Sequence, residues 1–166
     1  MRRPRLHADR RAGNGHPRLT GDSRQGRAMD IIRLLGFGYF LMFCTVVAIG
    51  YVPAFTDADG NLFGLFKLDL YDDSLHFFSG LWAGIAAWHS TRAATFYFKL
   101  FGTLYFLDGV MGLFLGSGYL DFGIFLYGVL DLDLATRFFA NLPHLVIGGF
   151  AIFTGFVLAR RVGGER

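Results

Sequence analysis

The sequence predicts an all-α membrane protein, a bundle of four transmembrane helices made of two tandem helical hairpins related by pseudo-two-fold symmetry. Of its 166 residues, 53% are hydrophobic and only 17% are charged, which is less charge than soluble domains carry. Residues 33–92 and 99–160 resemble two copies of one unit, and duplicated hairpins tend to pack about an axis along the membrane normal. Four apolar windows approach the about 20 residues that cross a hydrocarbon core: 33–53, 74–90, 96–116 and 142–159.

The internal repeat rests on small, aromatic and charged residues that return in the same order. At an offset of 66 the matched pairs are Arg33/Lys99, Gly36/Gly102, Tyr39/Tyr105 and Phe40/Phe106. At an offset of 64, Leu68-Asp69-Leu70 returns as Leu132-Asp133-Leu134. At an offset of 68 the pairs are His76/His144, Gly80/Gly148, Ala83/Ala151, Ala87/Gly155 and Arg92/Arg160. The small changes of offset predict that the helices match and that their connections differ in length.

Residues 1–28 differ from the rest of the chain. They hold eight Arg against Asp9 and Asp22, a net charge of +6, and they show no apolar periodicity. Because such a segment cannot bury a core, we predict that it is disordered, and Met29 is a candidate for the native start. A lipid-binding or nucleic-acid-binding arm is the functional alternative. The transmembrane domain is then 29–161, followed by a cytoplasmic tail, 162–166.

The charges predict the orientation of the spans. Positive residues flank all four spans on one membrane face, and the two long connectors on the other face are acidic. The positive-inside bias therefore places both termini in the cytoplasm and the protein in the inner (plasma) membrane of a bacterium, as a multi-pass protein. The flanking positive residues are Arg33, Arg92, Lys99, Arg160 and Arg161.

The two outer connectors, 54–73 and 117–141, contain apolar runs too short to cross a membrane. An interfacial or re-entrant element is the structure we expect for each. Between Asp133 and His144 the second copy holds four more residues than the first copy holds between Asp69 and His76, which is about one extra helical turn.

Each of the second and fourth spans is expected to present a smooth face for helix packing. Small residues stand 4, 7 and 11 positions after His76 and after His144, which places them in one stripe about 60° wide. Close approach over small residues holds transmembrane helices together. With the Gly-x-x-x-Gly pairs of the second and third spans, the predicted packing residues are Gly80, Ala83, Gly84, Ala87, Gly112, Gly116, Gly148, Ala151 and Gly155.

The two histidines at the outer ends of these stripes, His76 and His144, are candidate functional residues. A structural histidine at this position would hydrogen-bond a connector carbonyl or a neighbouring acid such as Asp73 or Asp69. If the two smooth faces meet, the imidazoles instead lie at similar depth, and a bis-histidine haem b or a metal could bridge them.

Asp108 is the third candidate, since the first copy has Met42 at the matching position. A carboxyl group at mid-bilayer costs about 2.5–3.5 kcal/mol, so it should face the bundle and be paired or protonated. One interpretation is a hydrogen-bonding node with Tyr39, Tyr105, Thr103 or Ser79 as partners. The other is a proton or cation site that uses His76 or His144 as the next relay group.

The motif Asp73-x-x-His76-x-x-x-Gly80, echoed by Asn141-x-x-His144-x-x-x-Gly148, resembles a family of bacterial four-span membrane proteins grouped as a domain of unknown function. The likeness covers about residues 29–160 and includes the apolar loop Leu62-Phe63-Gly64-Leu65 before the first motif. The resemblance implies an integral membrane protein with no established activity, cofactor or catalytic residues.

Three functions fit the sequence. The first is a non-enzymatic structural or accessory component of the membrane, with lipid and either a larger complex or further copies of itself as partners. The second is a small proton-coupled transporter that uses Asp108 with His76 and His144, and the third is a bis-histidine haem b electron carrier. No nucleophile motif, phosphate loop or Cys/His metal spacing is present in the sequence, so we expect no enzyme, no resident metal and no nucleic-acid partner.

Overall fold

The computed structural model describes residues 22–58, 61–64, 66–67 and 70–163, and most of these residues are helical. Three helices are long and apolar enough to cross a membrane: Ile31–Gly50, Thr91–Leu115 and Leu134–Val162. The predicted helical fold class is confirmed, and these three helices indicate a membrane protein.

The elements follow one another with short connections. In chain order they are α1 (Asp22–Gly50), a 3-10 turn (Pro53–Phe55), β1 (Asn61–Leu62), β2 (Phe66–Lys67), α2 (Leu70–His89), α3 (Thr91–Leu115), α4 (Gly123–Tyr127), α5 (Leu134–Ile152), a π-helical segment (Phe153–Leu158) and α6 (Ala159–Gly163). The two short strands form an antiparallel hairpin in which Leu62 faces Phe66. This hairpin is an addition to the all-α architecture that the sequence predicts.

The second of the four predicted spans is the least apolar of them. Its helix, α2, has 20 residues, but it carries Asp72 and Asp73 in its first turn and His76 and His89 further along. These polar residues lower its mean hydropathy, and α2 is not among the three helices that are apolar enough to cross.

The chain also departs from the prediction at its N-terminal end. Helix α1 begins at Asp22, so residues 22–28 are helical, although the sequence predicts disorder as far as residue 28. Arg, Ala and Gln favour helices, which allows the first span to extend backwards. The prediction of disorder for residues 1–21, and residues 164–166 of the predicted tail, lie outside the described residues.

Helix α1 packs along α2, and α3 packs along α5 and the π-helical segment. In both helix pairs, glycines allow the two backbones to approach closely. A Cβ built on Gly36 would lie 2.8 Å from Ala87 Cβ and 3.4 Å from Ala83 O, and one on Gly102 would lie 2.8 Å from Ala151 Cβ. The predicted repeat matches Gly36 with Gly102, and Ala83 with Ala151.

Two further contacts recur between the helix pairs. A Cβ on Gly80 would lie 3.4 Å from Phe40 O, and one on Gly148 would lie 2.5 Å from the backbone nitrogen of Phe106. At the opposite end, Arg33 Nε donates a 2.7 Å hydrogen bond to Ala87 O. The pair that the predicted repeat matches with these residues is also in contact, since a Cβ on Gly155 would lie 2.7 Å from the backbone nitrogen of Lys99.

An aromatic core joins the two helix pairs. Tyr39 of α1 makes edge-to-face contacts with Phe43, Phe98 and Phe101, and its hydroxyl donates a 2.7 Å hydrogen bond to Ile147 O of α5. On α3, Phe101 stacks between Tyr97 and Tyr105, with ring centroids 4.9 Å and 4.8 Å away. This stack of three rings extends the core along α3.

The connection after α3 folds back against the bundle. Gly116 ends α3 with a φ of +78°, a left-handed conformation that glycine adopts without steric cost. Helix α5 begins at Leu134, directly after Asp133, whose carboxylate accepts hydrogen bonds from the backbone nitrogens of Ala135 and Thr136. The extra residues before His144 are therefore helical, in agreement with the extra turn expected from the sequence.

Candidate functional site

His76 lies in the second turn of α2 and is 9% exposed. Its Nδ1 is 2.9 Å from the backbone oxygen of Asp72 and 3.5 Å from the Asp72 carboxylate. Its Nε2 is 3.2 Å from the hydroxyl of Tyr105 on α3. The expectation that a histidine here bonds a connector carbonyl or a neighbouring acid agrees with this geometry, with Asp72 as the partner in place of Asp73.

Tyr105 links the two histidines that the sequence singles out. Its ring meets the His144 ring edge to face at a centroid distance of 4.3 Å. The His76 and His144 rings are 6.5 Å apart and inclined by 27°. The structure therefore brings together two residues that are 68 positions apart in the sequence.

Asp108 is 1% exposed and lies beside His144, with its Oδ2 3.3 Å from His144 Nδ1. Its other oxygen accepts hydrogen bonds from the backbone nitrogens of Tyr119, at 2.6 Å, and Leu120, at 2.8 Å. Gly118 makes room for the carboxylate, since a Cβ there would lie 2.6 Å from Oδ2.

The polar partners expected for Asp108 are wrong. The sequence suggests Tyr39, Tyr105, Thr103 or Ser79, but the hydrogen-bond donors come from the connection after α3. That connection reaches Asp108 because Gly116 turns the chain back over the end of the helix. Asp108 consequently lies two turns from the end of α3 at Leu115, and not at the middle of a span.

The partners of His76 determine where its imidazole proton lies. A backbone carbonyl only accepts hydrogen bonds, so we assign the His76 proton to Nδ1, which leaves Nε2 to accept from the Tyr105 hydroxyl. His144 Nδ1 and Asp108 Oδ2 differ from this pair, because they lie 3.3 Å apart and neither atom has a hydrogen-bond partner among the described residues.

A cavity of about 200 Å³ lies next to this cluster. Its polar wall is formed by Asp72, His76, Tyr105 and His144, and most of the remaining wall is apolar. The apolar lining residues are Phe43, Val46, Leu62, Phe63, Ala140, Pro143 and Ile147. The β-hairpin covers one side, because Leu62 is only 5% exposed.

The cluster does not suit a haem or a metal ion. The Nε2 of His76 is occupied by the Tyr105 hydroxyl, and the Tyr105 ring lies against His144, where a porphyrin would have to enter. Within the described part of the chain, no group of three or more His, Cys, Asp or Glu side chains could hold a metal ion.

The predicted packing residues occupy several environments. Gly80, Ala83, Ala87, Gly148, Ala151 and Gly155 lie at the contacts between paired helices. Gly84 faces the Phe40 ring, 3.1 Å from a built Cβ. The space beside Gly112 is filled by the Asn141 side chain, and Gly116 meets Leu130 of the connection rather than another helix.

Outside the spans, two side-chain contacts shift pKa values. The hydrogen bond from the Tyr51 hydroxyl to the Asp73 carboxylate, 2.9 Å long, raises the pKa of Tyr51. A hydrogen bond from the Thr136 hydroxyl lowers the pKa of Asp133, and the backbone nitrogens at the start of α5 add to the effect.

Comparison of the chain with models of protein families, with curated proteins and with solved structures finds no match. The resemblance to a four-span family of unknown function stays a prediction.

The sequence reasoning missed the bond between Tyr105 and His76, and the contact of Asp108 with the connection after α3. Tyr105 stands three residues before Asp108, so both side chains share one face of α3. That spacing could have placed Tyr105 in the cluster, but nothing in the pattern shows how the connection folds.

Proposed function

We propose that the chain is a four-span protein of the bacterial inner membrane, with both termini in the cytoplasm and two hairpins related by a pseudo-two-fold axis. The support is that three contacts recur at matched positions: Gly36–Ala83 with Gly102–Ala151, Phe40–Gly80 with Phe106–Gly148, and Arg33–Ala87 with Lys99–Gly155. The acids of α2 lie at its outer end, so its apolar remainder can still enter the bilayer beside α1.

The function that the geometry supports best is a small proton-coupled transporter. One observation carries this proposal: Asp108, His144, Tyr105 and His76 form a buried array that borders a cavity of about 200 Å³. Buried ionisable groups in a membrane are costly and mark proton or substrate paths. A structural cluster needs no cavity beside it, whereas a carrier does.

His144 is the group we assign to proton transfer. Its side chain lines the cavity, and a proton taken up by the ring would be stabilised by the Asp108 carboxylate, whose Oδ2 lies 3.3 Å from Nδ1. A proton on the His76 ring would be stabilised less than one on His144. The Nδ1 of His76 is bonded to an uncharged carbonyl, and the Asp72 carboxylate is 3.5 Å away.

A non-enzymatic structural or accessory component is the second candidate, and a specific observation favours it. One oxygen of Asp108 holds the connection after α3 through two backbone hydrogen bonds, which is a structural role. Large apolar side chains such as Trp88, at 78% exposed, and Phe114, at 73%, also offer contact to lipid or to another subunit.

Asp108→Asn separates the two candidates. An asparagine oxygen can still accept from Tyr119 and Leu120, so the fold is retained, but the charge beside His144 is lost. The experiment uses proteoliposomes with an internal pH indicator and an imposed pH gradient, to which a panel of small organic cations, anions and neutral solutes is added singly.

For a transporter, at least one solute collapses the gradient faster with the wild-type chain, and Asp108→Asn removes the acceleration. Asp131→Asn is the matched control, because it neutralises a fully exposed acid. If no solute in the panel collapses the gradient, the transporter proposal is wrong and the accessory role is favoured. A haem carrier would show a Soret band in the purified protein.

A further inference from the structure

An apolar groove lies between α1 and α2 on the outside of the bundle. This α1–α2 groove has a volume of about 290 Å³ and is lined by Phe37, Phe40, Leu81, Gly84, Ile85 and Trp88. Its rim is open, since Ile85 is 58% exposed and Trp88 is 78% exposed. In the proposed topology the groove faces the acyl chains of the inner leaflet.

Gly84 forms the floor of the groove. A Cβ built on Gly84 would lie 3.1 Å from the Phe40 ring, so a larger side chain there fills the space. The predicted repeat matches Gly84 with Ile152 and Ile85 with Phe153. The groove therefore depends on a small residue that the second helix pair lacks.

A guanidinium group stands at the cytoplasmic end of the groove. Arg33 lies one turn before Phe37, and its Nε and Nη2 donate to the backbone oxygens of Ala87, at 2.7 Å, and Trp88, at 3.2 Å. These bonds hold the group beside Trp88 and offset the negative end of the α2 dipole. Among the described residues Nη1 has no acceptor, so it can donate to a phosphate oxygen.

The other charges at this end have the same sign. Arg92 follows Trp88 by four residues, is exposed and forms no ion pair with a described residue. The described acids lie towards the opposite end of the bundle. The charged side chains that the structure describes at the cytoplasmic end are all basic: Arg33, Arg92, Lys99, Arg160 and Arg161. Basic sites of this kind, between helices at the cytoplasmic surface, attract anionic lipid headgroups.

We propose that the α1–α2 groove binds an anionic phospholipid of the inner leaflet. One acyl chain lies in the groove, which runs about 10 Å from Leu81 to Trp88. The phosphate accepts hydrogen bonds from Arg33 and Arg92. Trp88 lies between chain and headgroup, the level at which indoles concentrate in membranes. The inference goes beyond the transport proposal and depends only on the placement of α2 in the bilayer.

A second copy of the chain is the other candidate occupant. Two copies in one membrane share their orientation, so a two-fold contact through this groove brings the Arg33 and Arg92 side chains of both copies to the same end. Like charges repel there, whereas a lipid phosphate supplies the opposite charge. The cationic part of a choline headgroup would meet no acid among the side chains described at this end. Charge complementarity therefore favours an anionic lipid.

The fluorescence of Trp88 tests the proposal, because the chain has two tryptophans. Trp82 packs against Tyr97 inside the bundle, with ring centroids 5.0 Å apart, and Trp82→Phe leaves Trp88 as the reporter. The full-length protein is reconstituted in phosphatidylcholine vesicles with increasing fractions of phosphatidylglycerol or phosphatidylcholine that carry brominated, quenching acyl chains. We expect brominated phosphatidylglycerol to quench at a mole fraction at least about fivefold lower, and high salt to reduce this preference.

Variants test the head and chain sites separately. Arg92→Gln should lower the preference for phosphatidylglycerol at least about twofold, whereas Arg160→Gln, at the position that the predicted repeat matches with Arg92, should leave it unchanged. Gly84→Ile fills the groove and should remove the preference, and Ile85→Phe, a milder change at the exposed rim, should weaken it. A thermal unfolding midpoint equal to that of the parent chain shows that a variant is folded.

Equal quenching by the two brominated lipids, an unchanged preference in Arg92→Gln, or a full preference in folded Gly84→Ile or Ile85→Phe would overturn the inference. Quenching by neither lipid would also overturn it, since the groove would then lie outside the lipid or be covered by a second copy. Failure here is distinct from failure of the transport proposal. His76 lies about 18 Å along α2 from Trp88, and a chain without lipid preference can still collapse the pH gradient.

Discussion

The two histidine sites follow the same sequence motif but obtain their acids from different helices. His76 has Asp72 four residues before it on its own helix, and the matching position before His144 is Ala140. His144 instead has Asp108 on the facing helix, at the position that the predicted repeat matches with Met42. Each imidazole thus has an acid beside it, which comes from its own helix for His76 and from the facing helix for His144.

This difference assigns different roles to the two sites. The partner of His76 is local, so its bond forms as soon as α2 is helical. The acid beside His144 belongs to another helix and also holds the connection after α3, so this contact forms only in the assembled bundle. We therefore expect substitutions at the second site to affect both stability and proton chemistry, and substitutions at the first to have smaller effects.

The largest effect is expected for Asp108→Ala. The substitution leaves the backbone nitrogens of Tyr119 and Leu120 without their acceptor, and it removes the carboxylate that lies 3.3 Å from His144 Nδ1. A loss of about 3 kcal/mol in the free energy of unfolding is expected from the unpaired buried groups. Thermal and denaturant unfolding in detergent measures it.

Asp108→Asn and Asp72→Ala are the matched comparisons for that prediction. The first should lose less stability than Asp108→Ala, because the amide oxygen still accepts from the connection. The second leaves the backbone bond of His76 in place and should also be milder. Equal losses for Asp72→Ala and Asp108→Ala would contradict the difference between the two sites.

Substitutions of the glycines at the helix contacts are expected to have the next largest effects on stability. Gly102→Ala places its Cβ 2.7 Å from the backbone nitrogen of Ile152, which cannot move without shifting a helix. Gly36→Ala, at the equivalent position, meets the Ala87 Cβ at 2.8 Å and the Ala83 oxygen at 3.4 Å. We expect a loss of about 1–3 kcal/mol for each, larger for Gly102→Ala.

Gly38→Ala is the control for both, because nothing lies within 4 Å of a Cβ built there. It should be neutral or slightly stabilising, since alanine favours helices. Unfolding midpoints of the three variants test the matched contacts, and a Gly36→Ala chain as stable as Gly38→Ala would count against them.

A smaller effect is expected for Tyr105→Phe. The ring remains against His144, but His76 Nε2 loses its 3.2 Å hydrogen bond. The expected loss is about 1 kcal/mol of unfolding free energy, with a change in the ¹⁵N resonances of His76 and little change in those of His144. A larger spectral change at His144 than at His76 would show that the bond is assigned to the wrong ring.

The smallest effect concerns pH and the exposed start of α5. The hydrogen bonds from Thr136 lower the pKa of Asp133 in the folded chain, so its contribution is present above the unfolded pKa and is lost as the pH falls through the folded one. Thr136→Val should therefore lower the unfolding midpoint slightly at pH 7, and the difference from the wild type should vanish at strongly acidic pH. A difference that grows on acidification would contradict this.

The sequence predicted the helical fold class and several of its helix contacts. Small residues at helical spacing predicted that Gly80 and Gly148 lie at helix contacts, and the rings of His76 and His144 lie 6.5 Å apart. Three of the four predicted spans coincide with helices apolar enough to cross a membrane, but α2 carries too many polar groups to be one of them. Its assignment as a span depends on the repeat.

The rest depends on backbone geometry that a hydrophobic pattern does not contain. The left-handed turn at Gly116 returns the chain over α3 and supplies the donors to Asp108. The bond between Tyr105 and His76 requires the relative rotation of α2 and α3, which is set by packing across the aromatic core. The cavity follows from the same packing.

The coupling between His144 and Asp108 tests the central claim most directly, because the transport proposal depends on the carboxylate that lies 3.3 Å from His144 Nδ1. Solid-state NMR of ¹⁵N-histidine in the reconstituted chain at neutral pH reports on the protonation of each ring. We predict that Asp108→Asn changes the ¹⁵N resonances of His144 and leaves those of His76 as they are. A His144 spectrum unchanged in Asp108→Asn, or an equal change at His76, would contradict the account.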